Sequence, residues 1–353
     1  MKTIFKKKKI SAIYGVVPET VRYYDDELID GLSPRNQKIK KNMGYGQRYR
    51  AKCGTTVSQM CIQGLNQLIM DKIIDVDEIG AIIVSTFSPD YFVPHVSNLI
   101  HGEFGLSKDI LTIDYWDGCA GYVMGIMHSC MLLNHLGDKK VLLFTGDVMN
   151  RLPQNGEFEV YDEPRYGGDG ASITIIENSD NDLFNVPFVM HTDGKQREMI
   201  AHKMGAFYDI FHLNKAHRDK MLEDPASSFR YFQSAVPETV NELLEYTDID
   251  ISDIDGFSFI QANGLSGRKY ADGLCIPYER VPADLVEKYG DMSATLNAFG
   301  IVEILKRAGL SSAGEAKAGY NIMVVGYGSG LKYGAALLNL DKDVHFGIIE
   351  TDL

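Results

Sequence analysis

Short β-branched runs separated by helix-length stretches recur along the whole chain, and such alternation allows few architectures other than a layered α/β fold. Residues 81–85, 110–115, 141–145 and 172–176 read as strands, with an earlier one around Ile10 to Tyr14. Between them, 55–70 and 120–136 carry helical spacing, the first introduced by Thr55-Thr56 as an N-cap. The theme returns in the second half, with strands at 256–260, 321–326 and 333–340 and helices at 228–246 and 293–308. The run from Val141 to Asp147 is echoed by that from Ile322 to Gly328, each a buried strand ending at glycine. Two similar α/β halves, 1–180 and 181–353, are therefore expected, in line with a length beyond that of one typical domain. Residues 190–225 are irregular, polar and rich in His and Lys, which suits loops covering a site.

With 45% hydrophobic and 24% charged residues and no low-complexity block, the chain has the composition of a packed protein. A net charge of −13 argues against nucleic-acid binding, which needs clustered positive charge, and would repel an acidic partner unless basic groups gather locally. The apolar stretch after the run Lys6 to Lys9 is too short for a signal peptide, and none approaches the roughly 18 residues of a membrane span. Five cysteines (Cys53, Cys61, Cys119, Cys130 and Cys275) without a C-x-x-C pair indicate neither a disulfide framework nor a metal site. A reducing, cytoplasmic setting is expected, with four of the five acting as small apolar fillers.

Cys119 is the exception. A strand ends near Tyr115, Trp116-Asp117-Gly118 turn the chain, and a helix begins directly after the cysteine. Unsatisfied amides and the positive end of the helix dipole favour thiolate over thiol at such a place, while Gly118, Ala120 and Gly121 leave room for a substrate. Near the C-terminus, the run from Gly326 to Gly334 joins two buried strands and offers unhindered backbone N–H groups. Acyl transfer from a thioester requires such donors where the carbonyl oxygen becomes negative. Phosphate binding is disfavoured, since no G-x-x-x-x-G-K-[ST] pattern occurs.

Together these motifs resemble the β-ketoacyl-acyl-carrier-protein synthase III family of the thiolase superfamily. The resemblance covers almost the whole chain, through residues 12–18, 88–94, Asp117-Gly-Cys-Ala-Gly121, Gly146-Asp-Val148, Gly168-Asp-Gly-Ala171, Gln261-Ala-Asn263 and 326–334. It implies a duplicated five-layered α-β-α-β-α architecture, usually a homodimer, without a resident cofactor or metal. Acyl-CoA or an acyl-phosphopantetheine carrier protein would be the substrate, in fatty-acid or secondary-metabolite biosynthesis. Cys119 matches the nucleophile, and its N–H with that of Gly330 would form the oxyanion hole. Arg151 falls where the family contacts the CoA nucleotide, Asn263 belongs to a site motif, and Val93 would line the acyl tunnel of a partner subunit within an interface at 88–102.

Two departures bear on activity. Ile260 stands where the family has histidine before Gln-Ala-Asn, and Asp291 in Gly290-Asp-Met-Ser293 replaces the catalytic asparagine. Both lost groups are neutral donors that polarise a malonyl thioester during decarboxylation, which an anionic carboxylate or an alkyl side chain cannot do. Asp291 could instead serve as general base toward a hydroxyl or amine. His95, His202 and His212 occupy no matched position. Three readings follow, in order: an acyltransferase using Cys119 and Asp291, a decarboxylative 3-oxoacyl synthase, and a catalytically weak acyl-binding subunit of a heteromeric complex.

Overall fold

In a computed structural model, the structure describes residues 1–23, 43–148, 167–201, 222–223, 225–309 and 319–353. Its framework consists of two sheets. The strands are β1 (Lys2–Phe5), β2 (Lys8–Pro18), β3 (Ile79–Ser85), β4 (Leu111–Tyr115), β5 (Lys140–Asp147), β6 (Gly170–Asn178), β7 (Val186–Thr192), β8 (Gly256–Phe259), β9 (Gly319–Gly328), β10 (Lys332–Asp341) and β11 (His345–Thr351). The first sheet runs β11-β2-β6-β5-β3-β4 and the second β1-β7-β10-β9-β8. Sheet membership does not follow chain order, because β1 pairs with β7 in the second sheet while the last strand, β11, pairs with β2 in the first.

The helices of the framework are α1 (Val57–Met70), α2 (Val96–Glu103), α3 (Gly121–Leu132), α4 (Pro225–Thr247), α5 (Ser266–Leu274), α6 (Leu285–Tyr289) and α7 (Thr295–Arg307). The period-2 alternation of the strands fixes their layers. On β3 and β5, Ile82, Val84, Leu142 and Phe144 meet Met60, Leu65 and Ile100 of α1 and α2. Ala81, Ile83, Val141 and Leu143 face the other way, onto Val123 and Ile126 of α3 and Ile301 of α7. Across that middle layer, Ile322 and Val324 of β9 pack inward, while Met323 and Val325 pack outward on Val236 and Leu243 of α4 and Ala271 of α5. The result is the expected α-β-α-β-α stack, with α3 and α7 fully sandwiched.

Local signals held where the chemistry was explicit. Thr56 caps α1 through its hydroxyl, and the Gln59 side chain returns the bond to the Thr56 N–H, a capping box. The strands around 141–145 and 172–176 are longer than their apolar cores, because Lys140 and Asn178 continue the pairing at the exposed margins. The helix expected over 120–136 stops at Leu132, and the cover expected over 190–225 begins later, since residues up to Thr192 belong to β7. Of that cover, residues 202–221 lie outside the described residues, as does Arg151.

Candidate active site

Strand β4 delivers the chain into the turn Trp116-Asp117, a single 3-10 turn spans Gly118–Ala120, and α3 starts at Gly121. Gly118 has φ +52, and a Cβ there would lie 1.9 Å from Cζ of Phe87, so the turn before the nucleophile requires glycine. The Tyr115 hydroxyl donates to the carbonyl of Gly121 at 2.8 Å, tying the strand end to the first residue of the helix. Cys119 thus stands half-buried at the head of α3, as its sequence context suggested.

The glycine run closes on this turn from the second sheet. A Cβ on Gly328 would sit 3.2 Å from the backbone nitrogens of both Cys119 and Ala120, and one on Gly326 would sit 3.3 Å from the Cys119 carbonyl. Only residues without side chains let β9 approach so closely. Gly330, the position implied by the resemblance, lies beyond the strand end with φ +121, in a turn held by reciprocal backbone bonds between Leu331 and Asp193. Across from the second sheet, Gly328 thus faces the amides of Cys119 and Ala120, and the Ala120 N–H is engaged by the Asp117 carbonyl at 3.3 Å.

On the other side, the turn 290–293 brings Ser293 to the sulfur: its Oγ is 3.4 Å from Cys119 Sγ. Ser293 is buried with φ +52, and its N–H donates to Oδ1 of Asp291 at 2.9 Å, which pins the turn. Burial pushes the Asp291 carboxyl up to about 6; the Ser293 N–H opposes the rise and the charge of Asp147 adds to it. Asp147, buried at the end of β5, accepts from Thr86 Oγ1, from the N–H groups of Phe87 and Ser88, and from Ser88 Oγ. Desolvation nonetheless raises it to about 6.

Ile260 is buried in the same core cluster, with Phe259, Tyr270 and Tyr327, that Cys119 packs against, and its side chain offers no hydrogen bond. Asn263 is buried and locally engaged: its Oδ1 accepts from the Leu265 N–H at 3.0 Å and the Ser266 hydroxyl at 3.2 Å, heading α5. Val93 is 75% exposed beside exposed Phe92, whose ring lies 6.3 Å from that of Trp116. His95 begins α2 without a side-chain capping bond, and His202 and His212 lie outside the described residues.

Of the residues singled out from sequence, the structure brings Cys119 and Asp291 into one neighbourhood. Ser293 carries no signal of its role in the sequence, because nothing in the letters shows a serine 174 positions away meeting the sulfur. The ion pair of Lys332 with Asp117 was also missed, although both lie inside recognised motifs. Among the described residues no cluster of three or more His, Cys, Asp or Glu could hold a metal ion, and no helix is long and apolar enough to cross a membrane.

Comparison with known proteins gives a consistent outcome. The family model described as 3-Oxoacyl-[acyl-carrier-protein (ACP)] synthase III C terminal matches residues 244–340. A relative from Campylobacter jejuni, named among the 3-oxoacyl-[acyl-carrier-protein] synthase 3 proteins, is 32% identical over 362 residues, covering 98% of this chain and 97% of its own. The beta-ketoacyl-[acyl-carrier-protein] synthase III of Streptococcus suis is 25% identical, covering 94% and 98%. In fold, the crystal structure of a 3-oxoacyl-(acyl-carrier protein) synthase from Burkholderia xenovorans superposes with a TM-score of 0.82 at 21% identity, covering 99% of each chain.

Proposed function

Because the chain belongs to the 3-oxoacyl-[acyl-carrier-protein] synthase III family, we propose that it is an acyltransferase that carries its acyl group on Cys119. The observation that supports this most is the convergence of Cys119, the close-packed Gly328 and the Ser293–Asp291 turn at the head of α3. In the first half-reaction the Cys119 sulfur attacks the thioester carbonyl, and the N–H groups of Cys119 and Gly330 would stabilise the oxyanion. The carbon–sulfur bond to the donor then breaks, and the donor thiol leaves with the proton given up by Cys119. Acyl-CoA and acyl carrier protein both present such a thioester.

In the second half-reaction a hydroxyl or amine attacks the acyl-cysteine while Asp291 accepts its proton; the acyl–sulfur bond breaks and the proton returns to sulfur. An Asp291 carboxyl raised to about 6 is deprotonated at neutral pH yet basic enough to work. Arg151 would meet the CoA nucleotide, and Asn263 would contribute to substrate binding. The exposed stretch Tyr91-Phe92-Val93, with Trp116, suits burial in a homodimer, where Val93 would border the partner's acyl tunnel. A cytoplasmic setting would keep Cys119 and the other four free thiols reduced.

Condensation is the second reading, favoured by the names of the relatives. It needs neutral donors over the malonyl carbonyl, and here Ile260 supplies none while Asp291 supplies one only when protonated, below about pH 6. The deciding experiment offers acylated protein either hydroxyl and amine acceptors or malonyl carrier at pH 7.5. Acyl ester or amide without carbon dioxide is expected, and carbon dioxide release at the rate of a condensing enzyme would replace this reading with the synthase one.

A further inference from the structure

Asp117 stands two residues before the nucleophile, and Lys332 is the first residue of β10, directly across the hairpin from Gly328. Their side chains form an ion pair in which the Asp117 carboxylate is only 12% exposed. The pair therefore joins the two backbones that meet at the site: Gly328, whose Cβ position is 3.2 Å from the Cys119 nitrogen, is the ladder partner of the lysine, and Asp117 contributes the carbonyl that caps the 3-10 turn. On the same hairpin, Leu331 is held separately by its backbone pair with Asp193.

Resting on the reading of Cys119 as acyl carrier, we propose that Asp117 and Lys332 are positioning residues that clamp the glycine strand to the nucleophile turn and cancel a negative charge beside the sulfur. The charged or titratable groups around the cysteine turn include Asp117 on the turn itself, Lys332 on β10, Asp291 on the 290–293 turn, Asp147 on β5, Tyr115 on β4, Tyr327 on β9 and His128 on α3. Lys332 is the cation among these, and it pairs with Asp117. His128 senses both members: Asp117 pulls it up and Lys332 pushes it down, while burial, the larger effect, lowers it. With its carboxylate only 12% exposed, the pair is partly buried, so loss of the lysine strands a carboxylate; stability is therefore measured alongside, and the functional effect is read in the chemistry of the cysteine.

The test compares wild type, Lys332→Met, Lys332→Arg and the double variant Asp117→Asn/Lys332→Met. Two readouts are used: the pH profile of Cys119 alkylation by iodoacetamide and the rate of acyl loading from acyl-CoA. Lys332→Met leaves the carboxylate unopposed, and alkylation at pH 7 should fall about fivefold, the size expected for a partly screened neighbouring charge. Lys332→Arg should retain the wild-type profile. The double variant should recover the alkylation profile, since no net charge remains, but load acyl groups about tenfold more slowly because the clamp is gone. Alkylation and loading within twofold of wild type in all three variants would overturn the proposal. If wild type alkylates at Cys119 but never loads, the acyl-carrier reading fails, and the charge effect is still decided by the alkylation profiles. Should Lys332→Met not fold, Lys332→Gln, which keeps a polar reach to Asp117, carries the same comparison.

Discussion

Replacing Gly328 by alanine tests the geometry of the acyl site most economically. The added methyl would come within 3.2 Å of the amide nitrogens of Cys119 and Ala120 and 3.4 Å of the Asp117 carbonyl, closer than most side-chain contacts. Either β9 retreats from the turn or the methyl occupies the space in front of the amides. Overpacking of this size costs about 1–3 kcal/mol in stability. Loss of one oxyanion donor costs on the order of 10²- to 10³-fold in rate. The informative control is Gly326→Ala, whose methyl would meet Cγ2 of Val123 at 3.2 Å and the Cys119 carbonyl at 3.3 Å, crowding the same turn from its carbonyl side. Quenched-flow mass spectrometry of acyl loading, with denaturant midpoints measured in parallel, separates the effects. Both variants should lose similar stability, while Gly328→Ala loads at least about 100-fold more slowly than wild type and Gly326→Ala less than about tenfold. Loading by Gly328→Ala within threefold of wild type would refute the claim that the Cys119 amide, facing β9, stabilises the oxyanion.

Asp291→Asn should spare loading but reduce transfer to a hydroxyl acceptor by about 10²-fold or more, the usual weight of a general base, and should remove the fall in wild-type transfer expected as pH drops below about 6. Since the folded-state value lies above the ordinary one of 3.8, the native protein holds this proton more tightly than the unfolded chain, and the carboxylate opposes stability above about pH 6, with relief complete only below the unfolded value. Asp291→Asn should accordingly raise the melting temperature more at pH 7.5 than at pH 4, and an equal change at both would contradict the burial argument. Gly118→Ala combines a left-handed residue with a methyl 1.9 Å from the Phe87 ring, so denaturant unfolding should report a loss of about 2–5 kcal/mol, and a loss under about 1 kcal/mol would mean that the turn accepts a side chain.

The layers were legible in the sequence because alternating residues of β3 and β5 face different helices, and such patterning survives in the letters. The capping box at Thr56 was legible for the same reason, being local. Cys119 could be placed because glycine turn, cysteine and helix start are consecutive. What was hidden depends on long-range register. Gly326, Gly328 and Gly330 read alike as letters, and only the pairing of β9 with β10 shows that Gly326 and Gly328 lie on the strand packed against the cysteine turn. Ser293 and Lys332 reach the site from 174 and 213 positions away respectively, and no periodicity encodes such a meeting. The exchange of β1 and β11 between the sheets is hidden likewise, since a short apolar run does not say which edge it will join.

The central claim is that Cys119 carries an acyl group, and intact-mass spectrometry after incubation with a panel of acyl-CoAs and acyl carrier proteins reads it directly. Wild-type protein should gain the mass of one acyl group per chain, localised to Cys119 by peptide mapping and released by hydroxylamine, while Cys119→Ala gains nothing. A full panel that adds no mass to wild type, or adds the same mass to Cys119→Ala, would contradict the account and leave an acyl-binding subunit without covalent chemistry in its place.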